Sequence, residues 1–161
     1  MNIREAKIKD KDSFLFLVEK LSRFNREKHD IQCKGDDYVL VLREIGIRAA
    51  ERFEKAGENI RILVVEQEGK LIGYALGEIY RENPASDNGT GKIGLLDELY
   101  LDEAARGKGL GQQLIDELMQ WFESKEIKRV KLHAYSWNEQ AAALYEKNGF
   151  KPYAVSYEKF L

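Results

Sequence analysis

Cysteine is nearly absent. Cys33 is the only one among 161 residues, which excludes an internal disulfide and points to a reducing compartment. Basic residues are in no excess: 26 lysines and arginines face 28 aspartates and glutamates, for a formal net charge of -2. A nucleic-acid-binding face would show as a basic surplus, so none is expected. A mild acidic surplus is compatible with a cationic substrate. No apolar run approaches the roughly 20 residues a membrane span needs. The opening Met1-Asn2-Ile3-Arg4-Glu5 lacks the basic-then-apolar pattern of a secretory signal. Histidines are two (His29 and His133), prolines are two (Pro84 and Pro152), and there is no internal repeat. These absences lead to the expectation of a cytoplasmic protein without a membrane, nucleic-acid or metal partner.

The chain is 43% hydrophobic and 34% charged, the balance of an ordered globular domain. Its length suits one domain over residues 1–161, whose core buries roughly 70% of the unfolded surface. Ile3 to Ile8 reads as a short strand. After Asp10 or Asp12, both good N-caps, Phe14, Leu17, Val18, Leu21 and Phe24 recur at helical spacing. A second helix is predicted from Tyr38 to Lys55, with Val39, Leu42, Ile45, Ala49 and Phe53 inward. Ile60 to Glu66 and Leu71 to Tyr80 form a hairpin about Glu68-Gly69. A mobile loop is expected over Arg81 to Gly91, then a strand from Lys92 to Leu101. Leu110, Leu114, Leu118, Met119 and Phe122 form one face of a helix; Val130, Leu132 and Ala134 alternate as a strand. Asn138 caps a short helix that Gly149 ends. Phe150 to Phe160 closes the chain as one or two strands. The expected fold class is α/β (α+β, mixed sheet), in the order β-α-α-β-β-β-α-β-α-β-β with helices on both faces.

The most informative stretch runs from Leu95-Leu96-Asp97-Glu98-Leu99-Tyr100-Leu101 to Arg106-Gly107-Lys108-Gly109-Leu110-Gly111. A strand feeds a glycine-rich turn that opens a helix. Glycines let backbone approach a ligand, and the first-turn N–H groups have no partner inside the helix. With the helix dipole and the charges of Arg106 and Lys108, this is the chemistry of a pyrophosphate cradle. The dinucleotide fingerprint fails because Gln112 stands where its third glycine belongs. The nucleotide P-loop fails because Gly109, not serine or threonine, follows Lys108. A bare tight turn remains the bland alternative.

Arg106 to Gly111 resembles the acetyl-CoA loop of the GNAT superfamily, Q/R-x-x-G-x-G/A. Downstream, Asn138-Glu139-Gln140-Ala141-Ala142-Ala143-Leu144-Tyr145-Glu146-Lys147-Asn148-Gly149-Phe150 resembles that family's second signature, N-x-x-A-x-x-L-Y-x-x-x-G-F. The likeness covers Leu95 to Phe150 closely and the rest in element order. It implies the GNAT acyl-CoA N-acyltransferase fold and direct transfer of acetyl from acetyl-CoA to a primary amine. It also implies that Gly107 to Gly111 take the CoA pyrophosphate through backbone N–H groups. Leu99 and Leu101 would pair with the pantetheine arm, and Tyr100 belongs to the same strand. A lone helical tyrosine is usually half-buried core; by resemblance Tyr145 is instead the general acid that protonates the departing thiolate. The N–H of Leu99 would face the oxyanion, and Asn138 would hold the CoA arm or a water beside its role as N-cap.

The base is open between Asp97 and Glu98. Strand alternation puts them on opposite faces, so at most one points into the site. Register favours Asp97, where many family members carry glutamate, while a bulge would turn Glu98 inward. His133 is a lesser candidate, and Cys33 reads as an incidental thiol. The acceptor, small molecule or protein, is not legible; the segments that would contact it, Arg23 to Asp37 and Arg81 to Gly91, mix acidic residues (Asp30, Asp36, Asp37, Glu82, Asp87) with basic ones. The family suggests a homodimer. The same phosphate loop would equally serve a non-catalytic acyl-CoA-binding sensor or interaction module.

Overall fold

The computed structural model of the chain describes residues 1–35, 37–85 and 91–161. Asp36, Asp87 and the centre of the loop expected over Arg81 to Gly91 lie outside the described residues. Nine elements follow in order: β1 (Asn2–Glu5), α1 (Lys11–Lys28), α2 (Tyr38–Glu54), β2 (Ile60–Gln67), β3 (Lys70–Arg81), β4 (Lys92–Leu101), α3 (Leu110–Ser124), β5 (Val130–Leu132) and α4 (Glu139–Lys147). The strands form one mixed sheet in sequential order. β1 to β4 pair antiparallel, and β5 adds to β4 in parallel after the α3 crossover. The β2–β3 hairpin turns where expected, at Glu68 and Gly69, both with positive φ.

Period-two alternation splits the sheet's side chains into two cores. One joins Leu63, Val65, Ala75, Leu96 and Leu101 to α3 through Leu114, Ile115, Leu118, Trp121 and Phe122, with Leu144 and Tyr145 of α4 at its rim. The other joins Ile62, Val64, Tyr74 and Leu76 to Phe14, Leu17 and Val18 of α1 and Ala49 of α2. Helices thus cover both faces, as the two hydrophobic faces of a mixed sheet require.

Three expectations need correction. Val39 does not point inward; it is 80% exposed. Only the later part of α2, at Ile45, Ala49 and Phe53, meets the core, because the helix leans on the sheet with its C-terminal half. Asp10 precedes α1 but its side chain does not cap it; the carboxylate instead accepts from the Lys7 N–H at 2.7 Å and from Arg4 at 2.6 and 3.0 Å. Finally, residues 150–161 form no strand. β5 spans three residues, so its free edge offers few backbone groups, and Pro152 has no N–H to donate. Side chains hold the segment beside β5 instead, with the Tyr153 ring 5.1 Å from the Arg129 guanidinium and 5.5 Å from Lys131 Nζ.

Candidate active site

The local event that makes the site is a bulge in β4. Leu76 pairs with Glu98 and Gly77 with Leu96, so Asp97 is an extra residue without a partner. Leu96, before the bulge, lies in the core on the α3 side. Glu98 and Tyr100, after it, lie opposite Leu76 and Tyr74 of the α1–α2 core. The inserted residue shifts the alternation by one, and Asp97 joins Glu98 on the α1–α2 face. The expectation that the two carboxylates lie on opposite faces is therefore wrong, and the bulge raised as the alternative is present. Both reach toward Arg52 of α2, Asp97 in direct contact and Glu98 at 4.0 Å.

Arg52 also bonds Glu78 of β3 at 3.0 Å, and Arg48 stands 3.7 Å from Asp97. The Arg52 side chain is only 14% exposed. Burial, then the neighbouring Arg48, pulls its guanidinium below the usual arginine value. Glu98 accepts a 2.6 Å hydrogen bond from the Tyr74 hydroxyl. Tyr74 is wholly buried, and burial together with the adjacent Glu98 charge holds its phenol well above pH 10. Within this cluster three carboxylates meet two guanidiniums, an excess of one negative charge.

Beside the bulge the sheet opens. β5 meets β4 only at Gly94, Leu95 and Leu96 and ends at Leu132, whereas β4 continues to Leu101. The Asp102 N–H bonds the Ile72 carbonyl on β3 at 2.8 Å. In an antiparallel ladder alternate residues direct both backbone groups to one neighbour. Tyr100 and Glu98, two and four residues earlier, therefore face β3. Leu99 and Leu101 direct their N–H and C=O groups the other way, into the gap. Their side chains join the α3-side core.

The glycine loop closes the wide end of that gap. Gly107 and Gly109 have φ of 72° and 77°, and Gly109 is the N-cap of α3. A side chain there would be strained whatever the space. Gly111 has a different reason to lack one, since a Cβ would stand 3.2 Å from Leu144 of α4. Lys108 is exposed at the loop tip. Arg106 is engaged elsewhere: its Nε donates to the Leu101 carbonyl at 3.0 Å and its guanidinium lies 5.0 Å from the Phe24 ring. It ties the loop to β4 and α1.

On α4, the Asn138 side chain accepts from the Ala141 N–H at 3.1 Å, and Gly149 ends the helix with φ of 82°. Tyr145 is half-buried on the α3 side, edge-on to Phe150 at 6.2 Å, and burial raises its phenol above the usual value. Tyr145 thus lies on the α3 side of the sheet and the two carboxylates on the α1–α2 side.

Several site residues escaped the sequence. Arg52, Glu78 and Tyr74 carry no motif and meet Asp97 and Glu98 only through the fold. An aromatic group is equally invisible: Phe24 of α1 meets Trp137 edge-on at 5.8 Å, Trp137 stacks on Tyr135 at 5.5 Å, and Tyr135 meets His29 at 4.8 Å. Touching both Arg106 beyond β4 and Trp137 beyond β5, Phe24 bridges the two strand ends. Among the described residues the indole N–H of Trp137 is buried without a hydrogen-bond partner. His133 is exposed just past β5, and Cys33 is free and half-buried. Among the described residues no cluster of His, Cys, Asp or Glu suits a metal ion, and no helix is long and apolar enough to cross a membrane.

Comparison with known proteins bears on the family and the fold. A family model described as the Acetyltransferase (GNAT) family matches residues 23–150. A spermine/spermidine N(1)-acetyltransferase of Bacillus subtilis is 35% identical over 85 residues, 52% of this chain and 55% of that protein. The chain thus spans about half the length of that relative. Another Bacillus subtilis protein, the uncharacterized N-acetyltransferase YhfO, is 29% identical over 94% of this chain and 90% of its own length. Among solved structures, a predicted acetyltransferase from Clostridium acetobutylicum with acetyl-CoA superposes with a TM-score of 0.74 at 19% identity, covering 99% of this chain and 95% of that one.

Proposed function

The chain belongs to the acetyltransferase (GNAT) family, and from that premise we propose that it moves the acetyl group of acetyl-CoA directly to a primary amine. The observation that carries the reading is a gap at the sheet edge, with two carboxylates on one face of the sheet and a tyrosine on the other. The backbone of Leu99 and Leu101 faces the gap, the Asp97–Glu98 pair stands on one face of the sheet, and Tyr145 stands on the other.

The residues suit acetyl-CoA as a substrate. The free first-turn N–H groups of α3, beyond the left-handed Gly107 and Gly109, offer donors to a pyrophosphate. The N–H and C=O of Leu99 and the N–H of Leu101 offer the pantetheine amides a strand-like partner, while the Leu101 carbonyl holds Arg106. The orphan indole N–H of Trp137 is a further donor on the far side of the gap.

Proton accounting follows. An alkyl ammonium has a pKa of about 10.4 and is no nucleophile at neutral pH. One of its protons passes to the Asp97–Glu98 pair and on to solvent. The nitrogen attacks the thioester carbon, and the oxyanion falls to the Leu99 N–H. As the C–S bond breaks, Tyr145 gives its proton to sulfur, and its phenolate regains one from the nitrogen. The products are the amide and CoA thiol. The net negative charge around Arg52 and Arg48 favours a cationic acceptor such as a polyamine over an anionic one.

The test is CoA thiol release from acetyl-CoA across polyamines, aminosugars, amino acids and short peptides. Release that depends on an amine supports the reading. Tight acetyl-CoA binding with no amine-dependent release would sink it and favour a sensor role.

A further inference from the structure

Two adjacent carboxylates are present for one proton-abstracting role, and beside them stands an arginine that belongs to no motif. We propose that Arg52 is a positioning residue that holds Asp97 out of the reaction and leaves Glu98 as the base; this rests on the acetyl-transfer reading above.

The contacts of the two carboxylates differ. Asp97 Oδ2 lies between two guanidiniums, in contact with Arg52 Nη1 and 3.7 Å from Arg48. The second nitrogen of the same fork, Nη2, bonds Glu78 Oε2 on β3 at 3.0 Å. One planar guanidinium thus clamps carboxylates from two neighbouring strands at the bulge. Both guanidinium contacts of Asp97 fall on Oδ2, and the two positive charges beside it oppose the arrival of a proton at either of its oxygens. Reorienting Asp97 toward an incoming amine would also break the clamp on Glu78.

Glu98 is likewise bonded at one oxygen, but to a neutral donor. Its Oε2 accepts from Tyr74 at 2.6 Å, while Oε1 is 4.0 Å from Arg52, beyond hydrogen-bond reach. A carboxylate oxygen has about two acceptor sites, so Oε1 is free to take a proton from an amine or an intervening water. The anchor is rigid: Tyr74 is fully buried and fixed edge-on against Phe14 at 5.1 Å. Glu98 also directly precedes Leu99, whose backbone faces the gap, which places it one residue from the expected oxyanion donor. Orientation comes from Tyr74, freedom from the unbonded Oε1, and Arg52 supplies the reason Asp97 does not compete.

The test measures kcat and KM for acetyl-CoA and for an amine found by thiol release, in Glu98→Gln, Asp97→Asn, Arg52→Gln, Arg52→Lys and the double variant Arg52→Gln/Asp97→Asn. Glu98→Gln is expected to lower kcat by about 100-fold or more, and Asp97→Asn by less than about tenfold. Arg52→Gln should lower kcat about tenfold with the acetyl-CoA KM unchanged, because it leaves an unheld carboxylate beside the base. Adding Asp97→Asn should restore most of that loss, and Arg52→Lys, which keeps the charge without the fork, only part of it. Rescue by a second substitution would not follow from a merely structural arginine. An equal loss in Asp97→Asn and Glu98→Gln would overturn the assignment, as would an Arg52→Gln deficit that Asp97→Asn does not relieve. If Arg52→Gln does not fold, the Asp97→Asn and Glu98→Gln pair decides alone. A wild-type chain that binds acetyl-CoA yet acetylates no amine would overturn the proposed reaction and this assignment together.

Discussion

Removing one oxygen, as in Tyr145→Phe, isolates the proposed acid from the fold around it. The ring keeps its place against Phe150 and the rim of the α3-side core, so the variant should melt within about 0.5 kcal/mol of the parent. The chemical cost follows from the leaving group. A thiol with a pKa of about 8.5, expelled as its anion at pH 7, sits about 1.5 units from its protonated form, or roughly 2 kcal/mol. That corresponds to roughly 30-fold in rate if the whole advantage is lost. A phenol is a weaker acid than the thiol, and burial raises Tyr145 further, so the proton is only partly transferred when the C–S bond breaks. The expected fall in kcat is therefore about 3- to 30-fold, with KM for acetyl-CoA unchanged. Thiol release under saturating acetyl-CoA and amine reads it directly. Because burial raises the phenol above its ordinary value near 10, the wild type should lose no activity through Tyr145 below about pH 10. An unchanged kcat in the variant, or a rise in KM with kcat intact, would refute the acid role.

Two further outcomes concern the scaffold. In Gly94→Ala the new Cβ would stand 2.8 Å from two ring atoms of Phe122, itself fixed in the core, so overpacking should cost about 1–3 kcal/mol. Calorimetry should show a fall in Tm of about 2–4 °C for each kcal/mol, and an unchanged Tm would mean that α3 yields freely. Asp10 is 6% exposed, and the Arg4 hydrogen bond holds its carboxyl below the usual value against an opposing effect of burial. A depressed carboxyl stabilises the fold fully above its unfolded value of about 3.9 and loses that contribution as pH falls through its folded value. Asp10→Asn should therefore cost about 1.5–3 kcal/mol at pH 7 and flatten the fall in Tm below about pH 4. Parallel wild-type and variant melting curves against pH would show that the Arg4 pair carries no such linkage.

The sequence alone determined what local chemistry can write. The alternation of Ile60 to Glu66 and Leu71 to Tyr80, the turn at Glu68-Gly69, the apolar stripe of α3 and the Asn138 and Gly149 ends of α4 follow from periodicity and backbone preference. Gly107 and Gly109 were readable as a turn ahead of a helix N-terminus because only glycine takes that left-handed conformation cheaply. Tyr145 was marked by its surrounding signature. Tertiary structure decided the rest. The strand expected from Phe150 to Phe160 depended on an edge to pair with, and a three-residue β5 and Pro152 supply little of one. The fate of Val39 depended on how α2 leans. The relation of Asp97 to Glu98 turned on one inserted residue, and a bulge is a property of two strands rather than of one. Arg52, 45 residues before Asp97, became part of the site only because α2 packs across the face to which that bulge turns both carboxylates. Short-range preferences fix which elements form, and the pairing of elements distant in sequence fixes which charges meet.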